Sequence, residues 1–82
     1  MNIYKIERRH NLTGYDQYDS AIVIAESEEA ARKIHPNGGP DYYNNPDEGR
    51  SWVPPEEVRV TLIGRATFRG PSVVICASFN AG

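Results

Sequence analysis

The sequence predicts an α+β fold, a ββαββ chain in which a four-stranded antiparallel sheet carries one short helix on one face. Three observations lead there. Two β-branched runs near the N-terminus, NIYKIERR and SAIVIAE, are each of strand length and close enough in sequence to form a hairpin. One helical segment with its own cap follows them. Two further strand signals, VRVTLIGRA and VVICASF, complete the set.

In the first strand Tyr4 and Ile6 alternate with Lys5 and Glu7, which gives one apolar and one charged face. His10 to Asp19 reads as a polar connection pivoting on Gly14. It contains the doublet Tyr15-Asp16 and Tyr18-Asp19, whose aspartates are expected to bond the local backbone as Asx turns do. After the second strand, Ser27 offers a hydroxyl to the orphan N–H groups of a helix, and Glu28 and Glu29 sit at the positive end of its dipole. Glu28 with Arg32 and Glu29 with Lys33 are correctly oriented i,i+4 pairs, which leaves Ala30, Ala31 and Ile34 facing inward. Pro36 ends the helix, because proline has no N–H to give and pushes its predecessor out of the α region. Gly38 and Gly39 then serve as left-handed terminators.

Residues 37–55, NGGPDYYNNPDEGRSWVPP, form a long loop rich in Gly, Pro, Asn and Asp. Tyr42, Tyr43 and Trp52 are its large side chains, and Trp52-Val53 is the expected point of return to the core. In VRVTLIGRA, Val58, Val60 and Leu62 point one way and Arg59, Thr61 and Ile63 the other. Arg69-Gly70-Pro71-Ser72 reads as a turn. The last run, VVICASF, is apolar throughout and is expected at the middle of the sheet, with Cys76 as a buried small hydrophobe.

With 82 residues the chain is expected to make a single domain, 1–82, burying roughly 60–65% of the surface its unfolded form exposes. So thin a core leaves any chemistry on a shallow surface or between subunits, which weighs against an enzyme. The net charge of −2 hides a segregation. Asp16, Asp19, Glu26, Glu28 and Glu29 load the first half, whereas from Val58 onward the only charged side chains are Arg59, Arg65 and Arg69. That balance argues against a duplex nucleic-acid binder, whose affinity rests on a surplus of Lys and Arg. One cysteine permits no internal disulfide and fits a reducing cytoplasm. Charges interrupt the N-terminal apolar residues, and no run approaches the roughly 20 apolar residues of a membrane span.

His10, Asp16, Asp19, His35 and Asp41 are of metal-ligating type, but their spacing matches neither a zinc nor a calcium pattern, so no metal and no cofactor is expected. His10 and His35 are the only histidines that could act as a base for a nucleophile. His35 is expected to serve the helix C-terminus, and an apolar strand would blunt the Cys76 thiol. No catalytic residue is assigned. A phosphate site could draw on Arg59, Arg65 and Arg69 with the backbone of Asn37-Gly38-Gly39-Pro40, although the glycines follow the helix instead of preceding it. Binding to another protein fits the composition better, since Tyr15, Tyr18, Tyr42, Tyr43 and Trp52 lie in or beside polar segments and such residues dominate interface hot spots. Tyr15, Asp16, Tyr18, Asp19, Tyr42 and Tyr43 are the contact residues expected on this reading. A thin sandwich with an apolar final strand also admits a homodimer.

The quoted doublet, the join Ala25-Glu26-Ser27-Glu28-Glu29-Ala30 with Arg32, His35-Pro36, Trp52-Val53, Gly64 and the run Ala77-Ser78-Phe79-Asn80-Ala81-Gly82 together resemble a family of small phage and prophage proteins without an assigned function. The resemblance spans most of the chain except residues 37–51. It implies an accessory protein that binds a host protein in the host cytoplasm, as counter-defence proteins do. The alternative it implies is a sponge or enzyme for a phosphate-bearing signalling nucleotide.

Overall fold

The computed structural model of the chain describes residues 1–9, 17–39, 41–45, 51–67, 70 and 72–80. Four strands, β1 (Asn2–Arg8), β2 (Gln17–Ala25), β3 (Val58–Arg65) and β4 (Val73–Asn80), build one antiparallel sheet, and the α-helix α1 (Glu28–Lys33) lies on one face. Short 3₁₀ turns occupy Tyr42–Asn44 and Pro55–Glu57. The expected α+β architecture is therefore the observed one.

Strand order is β3-β1-β2-β4. The N-terminal hairpin holds the centre, β3 pairs with the outer side of β1, and β4 pairs with the outer side of β2. This corrects the placing of the last strand: β4 is an edge strand, because β1 already occupies the other side of β2. Cys76 is exposed for the same reason, standing opposite Ile22 on the face away from the helix.

Alternation in β1 sends Tyr4, Ile6 and Arg8 to the helix side and leaves Ile3, Lys5 and Glu7 on the other. Tyr4, Ile6, Ala21, Val23, Ala25, Ala31, Ile34, Tyr42, Trp52 and Val58 form one core between the sheet and α1. Ala31 and Ile34 are fully inside, and Ala30 packs partly against them. Six helical residues could not persist alone in water, so packing maintains α1. The Ser27 hydroxyl accepts the Ala30 N–H at 3.1 Å, and the Arg32 guanidinium meets Glu28 at 3.0 Å. Arg32 also donates to the carbonyls of Val58 and Pro55, which fastens the helix to the start of β3. The helix is too short to reach the far end of that strand. Leu62, in register with Tyr4, is consequently 62% exposed despite pointing to the helix side.

Three register shifts break the regular ladders. One lies between Ile3 and Tyr4 against β3, one at Asp19 in β2, and one between Ile22 and Val23 against β4. No described helix is long and apolar enough to cross a membrane.

Candidate functional site

The first contact doublet is split by the structure. Tyr15 and Asp16 lie outside the described residues, as does Arg69. Tyr18 and Asp19 belong not to a connection but to β2, which starts at Gln17. The shift at Asp19 decides where each points: Asp19 is exposed and takes the Ser20 hydroxyl at 3.0 Å, while Tyr18 stands opposite Phe79 and packs against the core. A bulge inserts one residue and so changes the facing of everything beyond it.

Tyr18 is the second member of a row of rings. Phe79 meets it at 4.7 Å between centroids, and His35 meets its other side at 6.0 Å, edge to face. His35 stacks on Tyr42 at 6.0 Å with the ring planes 11° apart, and Tyr42 meets Tyr43 edge-on at 5.3 Å. The middle of this row is buried, with His35 at 0% and Tyr42 at 3% exposure. Its two ends are open: Tyr43 is 53% exposed and Phe79 45%. Offset and edge-to-face pairs of this kind add about 0.5–1.5 kcal/mol each beyond area burial.

Polar bonds hold the loop that carries these rings. His35 Nδ1 accepts the Asn37 N–H at 3.1 Å. The expected role of His35 in serving helix carbonyls gives way to this local bond and to ring stacking. Gly38, at φ 108°, turns the chain, and the amides of Asn37 and Asn45 bond each other reciprocally at 2.9 Å. Asp41 caps the 3₁₀ turn by accepting Tyr43 N–H at 3.1 Å, and the Tyr43 hydroxyl donates to Glu56 at 3.1 Å.

Beside the ring row lies Arg8, which is only 9% exposed. Its Nε donates to the Tyr18 carbonyl at 2.7 Å, and one terminal nitrogen donates to the Ser51 carbonyl at 3.1 Å. Its guanidinium lies 5.5 Å from the centre of the Trp52 ring. The Ser51 carbonyl also accepts the Tyr18 N–H at 2.9 Å. Burial lowers the pKa of Arg8 from its ordinary value, and the carboxylates of Asp19 and Glu57 oppose that shift. Arginine titrates so high that the group keeps its charge at neutral pH. Trp52 is buried as expected for the point of return, but its indole N–H and the Ser51 hydroxyl find no hydrogen-bond partner among the described residues.

Of the arginines considered for phosphate, Arg59 stands opposite Glu7 and Arg65 opposite Asn2, at the two ends of β3. The register shift puts them on opposite faces of the sheet, and Arg59 lies 3.9 Å from the Glu7 carboxylate. Among the described residues they do not converge. Nor do any three His, Cys, Asp or Glu side chains come together there. No family model, curated protein or solved structure matches this chain.

Tyr18, Tyr42 and Tyr43 are expected contact residues and belong to this cluster, whereas Arg8, His35 and Phe79 join it without being expected there. The alternation that puts Tyr4 and Ile6 inside extends to Arg8 and could have found it. Phe79 has no such signal, since its place beside Tyr18 depends on the pairing of β4 with β2.

Proposed function

We propose that this chain is a protein-binding module whose contact surface is the open-ended ring row, with Tyr43 and Phe79 as the residues that enter the partner. The observation that carries this reading is the coupling of two exposed aromatic side chains to inner ones, Tyr43 to the buried Tyr42 and Phe79 to the half-buried Tyr18. An aromatic ring held by packed neighbours loses little conformational entropy on binding, which is what distinguishes hot-spot residues from ordinary exposed apolar ones. A standard interface covers about 800 Å² on each partner, a patch broad enough to take in both rings. Tyr18 and Tyr42 support the surface from within, and Asp19, exposed next to them, gives it a negative rim.

On this proposal the partner is a host protein and the consequence interference with host defence, as the resemblance to phage accessory proteins implies. Capture from host lysate with the wild type, a Tyr43→Ala/Phe79→Ala variant and a Leu62→Ala control tests the reading. The double variant should lose a protein that the other two retain. Equal recovery by all three, with the variants folded, would refute it. The nucleotide reading gains no comparable support, since Arg59 and Arg65 diverge. A nucleotide at a hundred times its Kd would add about 2.7 kcal/mol to stability, and a thermal shift of that size would reinstate it.

A further inference from the structure

The sheet ends in two outer strands, β3 and β4, and their free edges are protected very differently. Charges, proline and bulges are what keep another strand from adding to an edge. β3 carries Arg59 and Arg65, exposed near its two ends, and Arg32 already occupies the Val58 carbonyl. β4 has no charged residue and no proline anywhere in Val73–Asn80. Its one protection is a bulge: Ile22 stands opposite Cys76 and Val23 opposite Val74, which makes Ile75 the extra residue. Over residues 76–80 β4 inserts nothing further, because the other shift in this ladder belongs to Asp19 of β2. No backbone hydrogen bond joins this stretch to any described residue outside β2.

We propose that the partner of this module adds an extended segment to the outer side of β4 along residues 76–80, a mode of contact that rests on the protein-binding reading above. The chemistry of the edge selects the occupant. Free N–H and C=O groups recur there at every second residue, and only another extended chain offers groups to match at that spacing. A helix spends its own backbone groups internally and has none to give. Phe79 ties this edge to the ring row, since it belongs to β4, packs on Tyr18 and is 45% exposed. An aromatic or β-branched residue of the added strand, set opposite Phe79, makes a favourable cross-strand pair. Tyr43, at the other end of the row, is left to a different part of the partner.

The bulge tells against a second copy of this chain as that strand. Residues directly opposite in an antiparallel pair share a face, and a two-fold axis requires one centre for all the pairs. Val74, Ala77 and Phe79 face the helix side, whereas Val73, Cys76 and Ser78 face away from it. Setting Phe79 opposite Val74 of another copy would set Ala77 opposite Cys76, two residues from different faces. No single two-fold register therefore serves both sides of Ile75. A segment from a different protein is under no such symmetry.

Amide hydrogen exchange of the folded chain, alone and with a defined peptide, tests this. The peptide alternates threonine and valine around one phenylalanine, and its control is the same peptide N-methylated at every internal amide. The plain peptide should slow exchange within residues 76–80 and leave β3 unchanged. The methylated one should bind about tenfold more weakly or worse, having lost its donors. Phe79→Ala should weaken the plain peptide and Tyr43→Ala should not. Protection of β3 instead, protection nowhere, or equal binding of the methylated peptide overturns the proposal. So does a chain that dimerises alone with residues 76–80 protected, since a second copy is then the occupant. If Tyr43→Ala/Phe79→Ala loses its captured protein while the peptide leaves β4 unprotected, strand addition fails and the ring-row reading stands. If the peptide protects β4 while that variant captures what the wild type does, the edge binds by itself and the ring-row reading fails.

Discussion

Arg8 is the residue whose removal should hurt the fold most for its size. Replacing it with Met keeps a stem of similar length inside and deletes the two donors and the charge. Each hydrogen bond from a charged group contributes about 1.5–3 kcal/mol, and a partly desolvated cation over an indole about 0.5–2 kcal/mol. Against these stands the cost of taking a guanidinium out of water, which is several kcal/mol. The Ser51 carbonyl keeps the Tyr18 N–H after the change, whereas the Tyr18 carbonyl loses the 2.7 Å donor. A net loss of about 2–4 kcal/mol follows. For a domain of this size each kcal/mol moves Tm by roughly 4–8 °C, so Arg8→Met should melt about 8–32 °C lower. Urea unfolding followed by the fluorescence of the single tryptophan, Trp52, reads the same loss and reports directly on the Arg8 contact. Arg8→Lys should recover little, since an ammonium cannot span two carbonyls as the guanidinium fork does. If Arg8→Met matches the wild type to within about 0.5 kcal/mol, the burial cost of the guanidinium cancels its bonds and the reasoning fails.

Four smaller changes test other parts of the fold. Ser27→Ala removes the helix cap and should cost about 1 kcal/mol by urea unfolding. Ser51→Ala deletes a buried hydroxyl with no partner among the described residues, so stability should stay level or rise by up to about 1 kcal/mol. Gly39→Ala would place its Cβ 2.1 Å from the Asn45 amide nitrogen and break the Asn37–Asn45 pairing, at a cost of about 1–3 kcal/mol seen as a lower Tm. Cys76 should react fully with a thiol reagent in the folded protein, within minutes and without denaturant, as its exposure dictates.

Local signals in the sequence reached the elements and fell short of their neighbours. The capped helix, the Glu28–Arg32 pair and the inward Ala31 and Ile34 follow from residues within one or two turns of each other, and all are present. The edge position of β4 does not follow from its composition. An apolar strand can be buried between two strands or stand at an edge with an uncovered face, and VVICASF reads the same in both cases. The polar connection expected over His10 to Asp19 takes in Tyr18, which belongs to β2 only because of the bulge at Asp19, and a bulge is invisible to a period-two pattern. Nothing in the composition of the run NIYKIERR distinguishes Arg8 from the exposed Arg9 beside it. Its burial depends on carbonyls 10 and 43 residues away in the chain, a distance over which no local pattern carries information.

The strand order also sets a timetable for folding. When the chain emerges from the ribosome, β1, β2 and α1 appear first and can close only the central hairpin and its helix. Both flanks of that hairpin then wait, with backbone groups unpaired, until β3 and β4 arrive to cover one side each. Closure of the β1–β3 ladder spans some fifty residues of chain, so refolding should be governed by this non-local step and not by the helix. A truncated product ending before β3 would present two bare strand edges at once, the condition under which nascent β-proteins associate with each other.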